Sequence, residues 1–324
     1  MESEKETKLL TVILPVLNRE DLLPRTLQSI SRQSLTDFNL IIVDNGSEDG
    51  TLSVIEKWSP KFSEKGINAI ATTESRRGAG RARNKGLTLA ETRWVMFFDS
   101  DDEMEPHHIK TINDYLNSHP ETDLVWFDIK EMDDDGWTTV RSVDDSNIIR
   151  GHLLHATLSC ARFAVRTELL RKLGGFDESL SAWEDLELGV RLLTTADNAR
   201  KLNCEPGAVI HPHSDSITGS SYSSKRESLE RAMDLCEEAL RRSGRYEDTV
   251  WVDVKRMIVA GHYYREGEKK LSEKLSDMTL EKTSRARRRI ALGFVRDTVS
   301  YFGRGGCAIA KALIRTDKGL NEEK

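Results

Sequence analysis

Trp94-Val95-Met96-Phe97-Phe98-Asp99-Ser100-Asp101-Asp102 passes from an uninterrupted apolar run straight into three carboxylates. The run predicts a buried strand, and its abrupt polar end predicts a strand tip. Carboxylates this close repel one another, and a divalent cation relieves the repulsion. Oxygen ligands suit Mg2+ or Mn2+. A metal held this way can bind a diphosphate and stabilise charge on a leaving nucleotide. Asp99 and Asp101 are one residue apart, so on a bending loop both can face one ion. The same residues would also serve as an acidic loop and helix cap before Pro106, so the D-x-D pattern alone decides nothing.

Working outward from this stretch, similar strands recur upstream. Residues 9–14 are apolar and β-branched and end at Pro15, and residues 38–43 end at Asp44-Asn45-Gly46-Ser47. A weaker strand covers 68–73. Between them, 19–33 carries Leu22, Leu23, Leu27 and Ile30 at helical spacing, 49–58 is a helix limited by Pro60, and 78–90 is a helix despite Gly80 and Gly86. Downstream, 106–117 reads as a helix and 124–127 as a strand. Strand and helix thus alternate from residue 9 to 127, which predicts an α/β, mostly parallel sheet with helices on both faces. Ligands of such sheets bind at the carboxyl ends of the strands. Three polar clusters lie there: 15–18, 44–47 and 99–102.

After Phe127 the pattern changes. Residues 133–136 read as a turn, 159–165 as a strand, 168–173 and 183–193 as helices, with Gly174-Gly175-Phe176-Asp177 between them. From 224 onward the chain reads as helices, roughly 224–243 and 249–264, then a basic and partly apolar stretch at 285–314 broken near Gly303 to Gly306.

Composition bounds the function. The chain has 324 residues, net charge -6, 38% hydrophobic and 31% charged residues, enough for a sizeable core and a polar surface. No apolar run approaches the ~20 residues that span a bilayer. Residues 1–8 are charged and read as a solvated tail without the apolar segment of a signal peptide, so the expected compartment is the cytoplasm. Cys160, Cys204, Cys236 and Cys307 are scattered, which argues against a disulfide framework or a zinc site. Mild net acidity argues against general nucleic-acid binding.

Asp44 at its strand end can accept a hydrogen bond from the imide N–H of uracil or from guanine. It equally suits a turn or a helix cap, as do Pro15 and Asn18. In combination the residues resemble the inverting family 2 glycosyltransferases. The resemblance rests on Pro15-Val16-Leu17-Asn18, Leu27-Gln28-Ser29-Ile30 with Gln33, Ile41-Ile42-Val43-Asp44-Asn45-Gly46-Ser47 with Asp49-Gly50-Thr51, Ala82-Arg83-Asn84 with Gly86, and Phe97-Phe98-Asp99-Ser100-Asp101-Asp102. It is dense over the first third of the chain and sparse beyond Phe127.

The resemblance implies a GT-A fold, a Rossmann-like nucleotide-binding half (9–127) joined to an acceptor-binding half (128–220), with 221–324 a helical C-terminal extension. It implies that Pro15, Val16 and Asn18 line the nucleotide pocket, that Asp44 contacts the base, and that Arg83 and Asn84 border nucleotide and donor sugar. Asp99 would face ribose or sugar and Asp101 the metal, Mg2+ or Mn2+. Trp183-Glu184-Asp185 resembles the family's acceptor-site pair at a helix start. Inversion needs a base that takes the acceptor hydroxyl proton. Asp185 is assigned that role, with Glu184 binding acceptor hydroxyls. Acids at a helix N-terminus also answer the macrodipole, whatever their function. His213-Ser214-Asp215-Ser216-Ile217-Thr218 is similar to a family segment whose histidine meets metal or diphosphate, and either His213 or His211 fits.

The expected activity is therefore metal-dependent, inverting sugar transfer of the hexosyltransferase type. The donor is a nucleoside diphosphate sugar, UDP-linked first, and the acceptor a saccharide or a lipid-linked glycan, as in surface polysaccharide or glycoconjugate synthesis. The alternatives are a non-catalytic nucleotide-sugar-binding protein on the same fold and a nucleotidyltransferase. The latter is disfavoured because Pro15-Val16-Leu17-Asn18-Arg19-Glu20 stands where a Gly-rich basic loop would be expected. Arg285, Arg287, Arg288 and Arg289, followed by Phe294, Val295, Val299, Tyr301 and Phe302, fit either peripheral contact with the inner face of a membrane or a helix packed on the catalytic domain.

Overall fold

The computed structural model describes residues 8–133, 135–143, 145–211 and 221–314. The chain opens with β1 (Leu10–Val16), α1 (Leu23–Ser31), β2 (Asn39–Asp44), α2 (Thr51–Glu64), β3 (Asn68–Thr73), α3 (Ala79–Leu89) and β4 (Trp94–Phe97). There follow β5 (Glu103–Met104), α4 (His108–Ser118), β6 (Leu124–Trp126), β7 (Ile129–Met132), β8 (Thr138–Arg141), α5 (Ile148–His155), β9 (Phe163–Arg166), α6 (Thr167–Lys172) and α7 (Glu184–Thr195). After β10 (Ala199–Lys201) and β11 (Ala208–Ile210) come the helices α8 (Arg226–Arg242), α9 (Thr249–Arg265), α10 (Lys269–Glu281), α11 (Ala286–Phe302) and α12 (Gly306–Ile314).

The main sheet has the order β10-β6-β9-β4-β1-β2-β3, and a smaller sheet has the order β5-β11-β7-β8. In the main sheet β9 runs antiparallel to β4 and β6, and the other pairs are parallel. The chain moves outward from β1 through β2 to β3, then returns to the other side of β1 as β4. This reversal opens a crevice between the carboxyl ends of β1 and β4, where α/β sheets bind ligands.

Side-chain alternation loads both faces of the sheet. Leu10, Val12, Leu14 and Val16 of β1 pack with Leu27 and Ile30 of α1, Phe62 of α2 and Leu116 of α4. Ile13, with Ile41, Val43 and Phe97, packs on the opposite face with Ala82 and Leu87 of α3. Full burial of each large aliphatic side chain contributes roughly 1.5–3 kcal/mol. Gly86 lets α3 lie flat on β1, because a Cβ there would collide with Ile13. The C-terminal helices share this second core: Val254, Met257 and Tyr263 of α9 and Leu292 and Val295 of α11 belong to the same apolar cluster as Ile13 and Phe97.

Two prolines behave differently from the sequence expectation. β1 continues through Pro15 to Val16. Its last pair with β4 is Ile13↔Phe97, so the missing N–H of Pro15 points past the end of β4 and removes no ladder bond. α2 runs through Pro60 to Glu64. Pro60 is exposed, so the carbonyl it frees meets water, while Phe62 is fully buried and holds the last turn. α10 has no counterpart among the expected elements. Its inner face sets Leu275 among Ser272, Ser276 and Thr279, with Leu271 and Met278 packed beside it, and the hydroxyls of Ser276 and Thr279 bond the carbonyls of Ser272 and Leu275 at 2.7 Å. Self-satisfied hydroxyls can be buried like apolar groups, and here they dilute the helical spacing of Leu271, Leu275 and Met278. All four cysteines are free thiols.

Candidate active site

The tips of β1 and β2 are sewn together through the main chain. Beyond Val16 the chain turns through Asn18 at φ 50, a left-handed conformation that asparagine tolerates. The Asn18 N–H donates to Ser47 Oγ (2.9 Å), and its Oδ1 accepts from the Glu48 N–H (2.8 Å). The Arg19 N–H donates to Thr51 Oγ1 at 2.8 Å. These bonds hold residues 18 and 19 in the loop, and α1 begins only at Leu23. Val16 packs its side chain in the core, so it offers only main chain to the crevice, while Pro15 is half-buried beside it.

Asp44 is 3% exposed. Its Oδ2 accepts the N–H groups of Gly46 (3.1 Å) and Ser47 (3.2 Å), whereas its Oδ1 is buried without a partner. A buried acceptor left so costs about 1–3 kcal/mol, which a ligand N–H would recover. Asn45 holds the loop before α3. It accepts from the Gly78 N–H (2.7 Å) and donates to the carbonyls of Glu74 (2.8 Å) and Arg76 (2.9 Å). A turn asparagine after a strand looks the same in sequence whether or not it does this.

At the end of β4 the alternation continues. Phe97 faces α3 and Phe98 the opposite core, so Asp99 returns to the α3 side, where Arg83 lies. Arg83 is 6% exposed and donates to Asp99 Oδ1 (2.8 Å) and to Glu184 Oε1 (2.7 Å). The ring of Phe176 lies under the guanidinium. Burial raises the Asp99 pKa above its ordinary value against the opposing charge of Arg83, and Asp101 adds to the rise. Asp102 is raised well above the usual carboxylate range by burial and then by Asp99. Its Oδ1 accepts from the His211 N–H at 3.0 Å. Asp101 faces Arg19 Nη2 at 3.3 Å across the crevice.

The Asn84 amide is engaged by the loop after α6: it donates to the Phe176 carbonyl and accepts from the Phe176 N–H, each at 2.9 Å. Gly175, at φ +72, is required there because a Cβ would collide with that amide. The His211 ring stands 2.9 Å from Glu103. His213 lies outside the described residues. Among the described residues no three His, Cys, Asp or Glu side chains converge as a metal-holding set.

α7 starts with Glu184, Asp185 and Glu187, three acids in its first turn. They have different partners. Glu187 is bound by Arg191 one turn on, and Glu184 by Arg83. Asp185 accepts the Leu186 N–H at 2.8 Å. Burial first, and repulsion from Glu184 second, push its pKa up to about 7. Trp183, just before the helix, sits at φ 64, a conformation that costs a bulky residue about 1–3 kcal/mol. Arg83 therefore joins the strand-tip carboxylates to the acids of α7. Of the expected site residues, Arg83, Asp99, Glu184 and Asp185 come together in one place, with Asp101 at its edge. Asn18 and Asn84 are committed to neighbouring loops.

A sequence model described as Glycosyl transferase family 2 matches residues 11–174, just over half of the chain. A PGL/p-HBAD biosynthesis glycosyltransferase of Mycobacterium tuberculosis is 33% identical over 120 residues, 37% of this chain and 46% of that protein, so the match spans under half of that relative's length. An uncharacterized glycosyltransferase of Haemophilus influenzae is 25% identical over 225 residues, 68% of this chain and 71% of its own. Among solved structures, a Staphylococcus aureus TarS fragment in complex with UDP superimposes with TM-score 0.62 at 18% identity, covering 98% of this chain and 93% of that one. The mannosyltransferase PcManGT of Pyrobaculum calidifontis, in complex with GDP-Man and Mn2+, gives 0.57 at 18% identity, covering 97% and 88%. At these identities the structures speak for the fold, which is GT-A, and the sequence match speaks for ancestry: the chain belongs to glycosyl transferase family 2.

Proposed function

We propose that this protein moves a sugar, with inversion, from a nucleoside diphosphate sugar to a saccharide or lipid-linked acceptor, with Asp185 as the base. The observation that carries the proposal is the bridge Asp99–Arg83–Glu184–Asp185. It sets a carboxyl with a pKa of about 7 beside the donor-side acids. A base with that pKa is half ionised at neutral pH and accepts a hydroxyl proton efficiently. Glu184 is held by Arg83 and is left to orient acceptor hydroxyls. The free Oδ1 of Asp44 suits the imide N–H of uracil, and UDP is the first choice of nucleotide. The TarS complexes with UDP and UDP-GlcNAc support that choice, and GDP-Man bound to PcManGT keeps guanine open.

The acids beyond β4 are the candidate holders of a divalent cation, one or two of them at a time, since no three converge among the described residues. Asp99 and Asp102 are both raised in pKa, in part by neighbouring carboxylates, and Asp101 already faces a cation, the Arg19 guanidinium. Asp101 would hold Mg2+ or Mn2+, with His211 or His213 as the imidazole candidates. Such an ion supplies neutralising charge to a diphosphate. In this reading residues 9–127 bind the donor and 128–220 the acceptor.

The acceptor side also favours a lipid surface. α11 buries Leu292, Val295 and Val299 against the domain, yet exposes Ile290, Phe294 and Tyr301 on one outward face, 58–73% accessible. Arg285, Arg287 and Arg289 are exposed at its start. Apolar anchors beside arginines match an anionic bilayer, with about 1 kcal/mol per basic residue at the surface.

The test is a screen of UDP-, GDP- and dTDP-sugars with Mn2+, read as nucleotide release. No turnover with any donor, together with no nucleotide binding by calorimetry, refutes the proposal. Asp101→Ala is expected to weaken Mn2+-dependent UDP binding, and unchanged affinity removes its ligand role.

A further inference from the structure

The C-terminal helices reach the Glu184–Asp185 turn through α9. Lys255 and His262 are seven residues apart on that helix, two turns, and so lie on one face. The Lys255 ammonium stands 4.4 Å from the centre of the Trp183 ring. His262 stacks on Tyr222, at 4.1 Å with an interplanar angle of 4°, and Tyr222 meets Trp183 edge-on at 6.4 Å. Tyr222 is itself fixed by Glu266, the residue after α9. Glu266 accepts from Ser221 Oγ (2.8 Å), the Tyr222 N–H (2.7 Å) and the Ser223 N–H (2.8 Å). One helix therefore reaches the same indole twice, directly through Lys255 and through His262 by way of Tyr222. That indole belongs to the residue held at φ 64 immediately before the acids of α7. A bulky side chain stays in the left-handed region only where its surroundings over-determine it.

We propose that Lys255 is a positioning residue: its ammonium, seated on the face of Trp183, holds the left-handed turn that aims Asp185, which makes α9 part of the catalytic unit. The proposal rests on Asp185 being the base. Tryptophan is the best cation–π partner, so it can keep a cation in place where burial disfavours it. Burial does lower the Lys255 pKa, against the charge of Asp185 on α7; the thiols of Cys307 on α12 and Cys236 on α8 also face it, and burial keeps both neutral by raising their pKa. His152 on α5 also feels the ammonium. Asp185 in turn is faced by Glu184 on its own helix, Arg83 on α3, Asp99 beyond β4, Cys160 before β9, and Lys255. Removing the ammonium takes away a cation and raises the Asp185 pKa further.

Two substitutions separate positioning from simple packing. Lys255→Met keeps the aliphatic stem and loses the charge, and Lys255→Arg keeps a cation able to stack on the ring. The full chain is labelled at the aspartate carboxyl carbons, and Asp185 is identified as the resonance missing from Asp185→Asn. Trp183 emission is identified by difference from Trp183→Phe. In Lys255→Met the Asp185 midpoint is expected to move to higher pH and the Trp183 emission to change, with Lys255→Arg restoring both. An unchanged midpoint and emission in a folded Lys255→Met overturns the proposal, as does failure of the arginine to restore them. If Lys255→Met does not fold, Trp183→Phe takes its place, with a weaker ring and the same upward midpoint expected. A wild-type Asp185 that titrates in the ordinary carboxylate range defeats the base assignment instead, and the emission change then judges the grip of Lys255 on Trp183 separately.

Discussion

The strand tips and the start of α7 are built in opposite ways. At the tips of β1 and β2, Asn18 meets Ser47 and Glu48, 29 and 30 residues away, and Asp44 meets the N–H groups of Gly46 and Ser47. These are side chain to main chain or short-range contacts in a mesh, and the loss of one leaves others. At the start of α7, Glu184 depends on Arg83, 101 residues upstream, and Trp183 on Lys255 of a C-terminal helix. There a few buried contacts carry the geometry. The strand tips, the proposed donor side, are thus redundant and tied through main chain, and the start of α7, the proposed acceptor side, is sparse and built of side chains. Substitutions should be absorbed on the first and propagate on the second.

The largest expected effect lies on the sparse side. Asp185→Asn should lower sugar transfer about 10²–10⁴-fold, the usual range for loss of a general base. Nucleotide affinity by calorimetry should stay as it is. In the wild type, kcat/KM should rise with pH through about 7 as Asp185 ionises. The same substitution should stabilise the fold. The unfolded carboxyl ionises near its ordinary 3.8 and the folded one near 7, so stability falls as pH rises between these values and is level above them. Urea unfolding at pH 8 should favour Asp185→Asn by on the order of 2–4 kcal/mol, with no difference at pH 3. Equal stability at pH 8 would mean that the site does not hold this carboxyl against its preference.

Arg83→Met tests whether the bridge is as singular as it looks. It strands two acids, one of them buried, and should cost about 3–5 kcal/mol in urea unfolding. Arg19→Met removes a partly exposed pair with Asp101 at the donor edge and should cost under about 1 kcal/mol. Similar costs for the two would erase the contrast between the regions.

The contrast also explains what could be read in the sequence. Asp99 was legible as an acid at a strand tip, whereas its direction toward α3 was not, because Phe97 and Phe98 on the two faces are equally apolar. Asp44 was legible as a strand-end acid. Asn45 was not, since its partners at Glu74, Arg76 and Gly78 belong to another loop. β10 is three residues long and exists through its pairing with β6 rather than through any pattern of its own. Lys255 had no local signal: α9 is buried around most of its circumference, so one lysine within it reads as an interruption rather than as a partner of residue 183. Long-range, side-chain-built geometry is what a single sequence conceals.

On the donor side, Asp44→Asn asks how far redundancy extends. The asparagine can still accept the Gly46 and Ser47 N–H groups, so the turn should survive with little change in stability. Its amide would present N–H where Oδ1 now stands free. Loss of an acceptor for a ligand N–H should weaken UDP binding about 10–100-fold, in line with roughly 1.5–3 kcal/mol for a charge-assisted bond. Unchanged affinity would mean that the base binds elsewhere.

The smallest effect on the fold is expected at α11, which lies outside both regions. Ile290→Ser with Phe294→Ser replaces side chains that face away from the core, so unfolding should shift by no more than about 0.5 kcal/mol each. Cosedimentation with phosphatidylglycerol vesicles should nevertheless drop steeply, and the wild type should ignore phosphatidylcholine vesicles because the arginines then lack a partner. Retained binding by the double variant would assign the attraction to charge alone. Concentration-dependent self-association of the wild type, lost in the variant, would instead make this face a contact between copies of the chain. The fold makes the lipid outcome the more informative one. The end of α11 touches the end of α9, where Arg265 donates to the Tyr301 carbonyl, and His262, one turn back, stacks on Tyr222 beside Trp183. A bilayer seated on α11 would therefore lie within a few side chains of the turn that carries Asp185.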